Sequence, residues 1–130
     1  ELCDFMREIE FDHVGVFTYS HEQGTAAHRM RDDVPASVKR SRRAVVMKLQ
    51  RKLAARAQRR RIGERARMLV DGPSAEHELV VQGRLEGQAP EIDPVEYLTD
   101  CDTSRYRAGR FVDVEIVDAN GYDLLARPLP

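Results

Sequence analysis

Between Lys39 and Arg61 the chain carries eleven lysines and arginines and not one aspartate or glutamate. Such a segment cannot enter a core on all sides, because burying an ionised side chain without a partner is strongly unfavourable. It can form a helix that hides one narrow face. Val38, Val45, Leu49 and Leu53 recur at helical spacing, Val46 and Met47 widen the stripe, and basic residues fill the rest of the circumference. Asp32, Asp33 and Pro35 mark the start, since aspartate satisfies free amides and proline is tolerated in a first turn. Ile62-Gly63 marks the end, which predicts a basic helix over 35–62. Like charges along a helix repel one another. This one is therefore a solvated linker, lies beside an acidic neighbour, or meets RNA phosphate through residues such as Arg42, Arg43, Arg59, Arg60 and Arg61.

An acidic neighbour exists within the same chain. Residues 1–38 sum to −5, 39–67 to +12 and 68–130 to −8, and the formal total of −1 conceals all three. Segregation of this kind points to units with separate electrostatic roles. No stretch of 18 or more uncharged apolar residues is present, so no helix is expected to span a membrane. The first ten residues lack the basic-then-apolar order of a secretory leader, and the chain reads as a cytoplasmic piece of something longer. The two cysteines, Cys3 and Cys101, have no CxxC partner, and the four histidines show no HExxH spacing. No metal site is expected, and both thiols are expected to be free.

On either side of the basic helix the hydrophobic period changes. Leu2, Phe5, Met6 and Ile9 fall at helical spacing and lead into the run Val14-Gly15-Val16-Phe17-Thr18-Tyr19. A mostly apolar run after an amphipathic helix predicts one βα unit of a parallel sheet or barrel, buried on both faces. After residue 62 come five short strand-like runs, around 66–71, 78–83, 95–98, 111–117 and 122–126. The clearest is Phe111 to Val117, where Val112, Val114 and Ile116 alternate with Asp113 and Glu115. Asn120-Gly121 supplies the turn into the last run. Five such strands predict a small antiparallel, OB-like barrel.

Phe11 to Ser20, Glu22 to Ala27, and Asp33-Val34-Pro35 with Val38-Lys39 resemble the end of the radical barrel and the start of the linker in methylthiotransferases of the radical S-adenosylmethionine (SAM) superfamily. The remainder resembles the TRAM domain appended to those enzymes. Ala89-Pro90-Glu91-Ile92-Asp93 with Tyr122-Asp123-Leu124 is most similar to the RimO branch, which modifies an aspartate of a small-subunit ribosomal protein. The resemblance implies an α+β chain: a leftover βα segment of the radical SAM barrel over 1–34, the helix over 35–62, and a TRAM barrel over 63–130. It also implies a parent enzyme using two 4Fe-4S clusters and S-adenosylmethionine. The CxxxCxxC motif of that family does not occur here, so this portion alone is expected to bind no cofactor and to be inactive. Tyr19, Ser20 and Glu22 would lie near the S-adenosylmethionine site.

The charge of the third block adds an independent criterion. A barrel that grips tRNA should be basic, whereas a net −8 would attract a basic ribosomal protein. Glu91, Asp93, Glu96, Asp113, Glu115 and Asp123 are the expected docking acids. A tRNA methylthiotransferase fragment, or a freestanding RNA-binding barrel, is the alternative. The run Val14–Tyr19 argues against the freestanding barrel, because a parallel-type strand without neighbours exposes an apolar ribbon.

Overall fold

The computed structural model describes residues 1–74, 80–90 and 92–130. Its elements are helices α1 (Leu2–Ile9) and α2 (Ala36–Arg60), then strands β1 (Arg65–Pro73), β2 (Val81–Leu85), β3 (Glu96–Leu98), β4 (Phe111–Asn120) and β5 (Asp123–Pro128). Two compact units divide within α2, one over Glu1–Leu53 and the other over Ala54–Pro130.

The second unit is a closed barrel with strand order β1-β2-β3-β5-β4. Its strands alternate as expected. Met68, Val70, Val81, Leu85, Leu98, Val114, Ile116, Leu124 and Ala126 fill the interior, while the intervening residues of each strand face out. The expectation of a purely antiparallel barrel is corrected, because β3 and β5 run parallel. Parity requires this: strands that alternate in direction around a ring close only in even number, so five strands need a parallel pair. The remaining four pairings are antiparallel.

Local sequence sets the corners of the barrel. The register slips between Val70 and Gly72 in β1 and between Ile116 and Asp118 in β4, bulges that increase the bend needed for closure. Asn120 and Asp123 pair across a two-residue turn whose first residue, Gly121, has φ 65°, as a type II′ hairpin requires. Gly83 is needed for a different reason. A Cβ there would overlap the Leu69 carbonyl oxygen and Met68 Cε, so β2 can approach β1 only because this residue has no side chain.

The first unit departs from expectation at Val14–Tyr19. These residues form no strand, and the ring of Phe17 is 93% exposed. A strand exists only through ladder bonds to a neighbour, and among the described residues none lies beside this segment. Side chains of α2 take its carbonyls instead. Gln50 Nε2 donates to Asp12 O at 3.0 Å, Arg43 Nε to Val16 O at 2.9 Å and Lys39 Nζ to Tyr19 O at 3.4 Å. Positions 39, 43 and 50 share one helical face, so the segment is held along α2 by a latch of side chains. Met6 of α1, Val46 and Gln50 are the buried residues of this unit. No helix among the described residues is long and apolar enough to cross a membrane.

Candidate functional site

The acids expected to form a docking face are not one patch. Asp113 and Glu115 project outward from β4, and the register sets Arg67 opposite Asp113 and Arg65 opposite Glu115 on β1, with Arg127 of β5 opposite Glu115 on the other side. Arg67 Nε meets Asp113 at 3.2 Å and Arg127 meets Glu115 at 3.0 Å. The acidic stripe of β4 is thus flanked by guanidiniums. Asp93 is half-buried and accepts the Ala89 amide at 2.7 Å, which closes the loop between β2 and β3. Asp123 is half-buried at the start of β5. Glu91 lies outside the described residues.

Glu96 does not belong to a docking face, because its side chain is 0% exposed. The alternation of β3 sends Glu96 and Leu98 inward, where the sequence offered only a charged residue to read as exposed. Gln88 makes the position tolerable. Its Nε2 donates to Glu96 Oε1 at 2.8 Å and to Pro94 O at 3.1 Å, while its Oε1 accepts the Leu85 amide at 2.6 Å. Glu96 Oε2 has no partner among the described residues. Burial therefore pushes the carboxyl up from 4.5 to about 7, against the opposing pull of the Gln88 hydrogen bond and the Arg61 charge.

A groove of about 700 Å³ opens on the outer face of the barrel, where Arg61, Arg65, Arg67 and Arg84 surround Leu69 and the exposed ring of Phe111. Counting charge by blocks missed it. Arg65-Ala66-Arg67 showed the period that puts both arginines on the outer face of β1, but the pairing of Leu69 with both Arg84 and Phe111 is a matter of register. Of the helix arginines, Arg42, Arg43, Arg59 and Arg60 are exposed and Arg61 pairs with Glu64 at 3.0 Å. Arg42 and Arg43 belong to the first unit and Arg59, Arg60 and Arg61 to the second.

Tyr19, Ser20 and Glu22 are exposed in the loop before the 3-10 turn at Ala26–Arg29. Tyr19 Oη lies 3.2 Å from His21 Nδ1, and Lys39 Nζ sits 5.2 Å from the Tyr19 ring centroid while bonding Asp32 at 2.6 Å. Thr25 shapes the turn, donating to the Glu22 carbonyl at 2.9 Å and accepting the His28 amide at 3.2 Å. The backbone of Glu22, and not its carboxylate, is what the loop uses.

The TRAM domain family profile matches residues 62–129. The chain belongs to the TRAM domain family. It is also 42% identical over 129 residues to ribosomal protein uS12 methylthiotransferase RimO of Sorangium cellulosum, a match that takes in 99% of the chain and 26% of the relative. The RimO protein of Anaeromyxobacter sp. (strain K) is 42% identical over 127 residues, 98% of the chain and 26% of the relative, and that of Myxococcus xanthus 38% over 126 residues, 97% and 26%. The chain spans about a quarter of the length of these curated relatives. The resemblance to the RimO branch thus holds along nearly the whole chain, and the TRAM match falls on the five-stranded barrel.

The residues present do not fit an iron–sulfur cluster. Cys3 and Cys101 are half-buried, free and in different units. Burial, with help from Asp102 and Asp100, pushes the Cys101 thiol up, which opposes the thiolate a cluster requires. No cluster chemistry is assigned to this chain.

Proposed function

We propose that the chain is the substrate-docking portion of a radical S-adenosylmethionine methylthiotransferase acting on the β-carbon of an aspartate in ribosomal protein uS12. The observation that carries this reading is the match to RimO proteins over nearly the whole chain at 36–42% identity. The parent enzyme would supply the two 4Fe-4S clusters and S-adenosylmethionine, and the first unit would contribute Tyr19, Ser20 and Glu22 near that site.

In this reading the barrel meets the basic ribosomal protein through Asp113, Glu115 and Asp123, together with Asp93 and with Glu91, which lies outside the described residues. Arg67 and Arg127 do not cancel this role. Exposed ion pairs contribute only about 0–1 kcal/mol, so an incoming lysine or arginine can replace them. The helix arginines Arg42, Arg43, Arg59, Arg60 and Arg61 would contact ribosomal RNA beside the target. The setting is cytoplasmic, where ribosomal subunits are found.

Titration of the full chain with purified uS12 at several salt concentrations tests the docking role. Binding that weakens with salt, and that falls about tenfold in a variant with Asp113→Asn and Glu115→Gln, is expected. A chain that does not bind uS12 at low salt would sink the reading, whatever RNA it binds. In the same assay with small ribosomal subunits, replacing the five helix arginines with glutamine should flatten the salt dependence; an unchanged slope would return the helix to a plain linker.

A further inference from the structure

We propose that the loop joining β2 to β3, residues 86–95, is a preset binding edge for a basic protein segment that also carries an apolar side chain, with Ile92 as the apolar contact and with Gln88 and the buried Glu96 as positioning residues that fix the shape of the loop. The choice of uS12 as the partner rests on the docking reading above, to which this edge adds a contact without charge.

Two sets of hydrogen bonds close the loop. At its base Gln88 accepts the Leu85 amide at 2.6 Å and donates to Pro94 O at 3.1 Å and to Glu96 Oε1 at 2.8 Å, so one side chain ties the end of β2 to the start of β3. Nearer the tip, Ala89 and Asp93 bond each other twice. The Ala89 amide donates to the Asp93 carboxylate at 2.7 Å, and the Asp93 amide donates to the Ala89 carbonyl at 3.2 Å. Ile92 lies within that closure and is 83% exposed. A large apolar side chain held in water by a closed loop is already placed for a partner, and binding need not order the loop first.

Charge selects the kind of partner. Asp93 stands next to Ile92, and Asp123 begins β5, the strand that pairs with β3. A lysine or arginine flanking the partner's apolar residue meets carboxylates here, whereas an acidic segment meets like charge. The edge is built from described residues alone, without Glu91.

Glu96 makes the closure sensitive to a single proton. Its side chain is 0% exposed, and Oε2 has no partner among the described residues. Around it stand Gln88, the Leu85 amide, Arg61 just beyond α2, and Asp123 of β5; Arg61 favours the ionised form and Asp123 the neutral one. Desolvation outweighs the groups that favour ionisation, so the carboxyl is neutral below about 7. An ionised Oε2 needs water. The strand that carries it is the shortest of the barrel, with three residues and two register pairs to β2. Drawing Glu96 outward takes the Oε1 acceptor away from Gln88 and slackens the base of the loop.

Titration of the full chain with purified uS12 at fixed ionic strength, repeated from about pH 6 to about pH 8.5, tests the edge. Ile92→Ala should weaken binding about five- to twentyfold and leave its salt dependence unchanged, since no charge is lost. Gln88→Ala should weaken it at least about threefold and speed hydrogen exchange of the Ala89 amide about tenfold, while a thermal scan confirms that the barrel is folded. The parent chain should lose about three- to tenfold in affinity as pH rises through that range. Glu96→Gln keeps an acceptor for Gln88 and has no proton to lose, so it should bind as the parent does at the low end and hold that affinity at the high end. Titration of uS12 itself affects both chains equally and cancels in their ratio. A parent chain that does not bind uS12 would overturn the docking reading and the edge with it. Binding by the parent that Ile92→Ala leaves intact would overturn the edge alone. So would a Glu96→Gln variant that follows the parent's pH profile, or faster Ala89 exchange in Gln88→Ala with uS12 binding unchanged, since the closure would then serve only the fold.

Discussion

The two units hold their extended segments by opposite means. In the barrel every strand has two hydrogen-bonded neighbours and one face in a continuous core. In the first unit the segment from Asp12 to Tyr19 has no strand beside it among the described residues, and three side chains of α2 catch its carbonyls. Ladder bonds use the backbone, which every residue supplies, so the barrel tolerates variation on its wet face. The latch depends on Lys39, Arg43 and Gln50 individually. The contrast is also one of apolar cover: the barrel hides Ile116 and Leu124 completely, whereas Leu2, Phe5, Ile9 and Phe17 of the first unit are exposed.

The contrast breaks most directly at the barrel core. Ile116 is fully buried and sits beside the β4 bulge, where neighbours have little freedom to collapse into a void. Ile116→Ala should cost about 2–5 kcal/mol. Differential scanning calorimetry should show the barrel transition moving down by at least 8 °C, at roughly 4–8 °C per kcal/mol for a unit of this size. A shift under 2 °C would mean that the interior is loosely packed.

Glu96 sharpens the comparison, because it is the one described acid held fully inside the barrel. Its carboxyl titrates near 7 when folded and near 4.5 when exposed. The folded barrel therefore keeps a proton that the unfolded chain gives up. The stability from this group is intact below about pH 4.5, drains as pH rises towards 7, and is gone above it. Glu96→Gln removes the titration. Relative to the parent, the variant should gain about 2–3 kcal/mol between pH 4.5 and pH 8 in urea melts, following roughly 1.4 kcal/mol per pKa unit. A constant difference across that range would show that Glu96 is ionised inside the barrel.

How much of this was legible follows from the same contrast. Alternation in Phe111–Val117 and the Asn120-Gly121 turn are local patterns, and both reappear in β4 and its hairpin. The extent of α2 was equally legible from Pro35 before it, Ile62-Gly63 after it and its basic run. Three things were not local. The parallel β3–β5 pair follows from ring closure, the burial of Glu96 from the phase of a three-residue strand, and the Arg84–Leu69–Phe111 row from register between strands distant in sequence. Val14–Tyr19 was misread for a related reason: apolar content marks a segment as able to be a strand, but only a neighbour makes it one. Among the site residues, sequence identified the sign of the acids on β4 without their arginine partners.

The smallest expected effect concerns the latch. Gln50 is 1% exposed and half satisfied, since Nε2 reaches Asp12 O while Oε1 has no partner among the described residues. Replacing it with methionine loses a hydrogen bond of about 1 kcal/mol but also removes a buried orphan that costs about as much. Global stability should therefore change by less than about 1 kcal/mol. The segment itself should respond more. With Arg43→Gln added, two of its three anchors are gone, and chymotryptic cleavage after Phe17 and Tyr19 should accelerate about five- to tenfold, tracking the population of the released segment. The barrel transition should stay in place, since none of these residues lies in the second unit. If cleavage were unchanged, the three hydrogen bonds would be consequences of how the segment lies, and the apolar contacts of Val14 and Val16 would be what holds it.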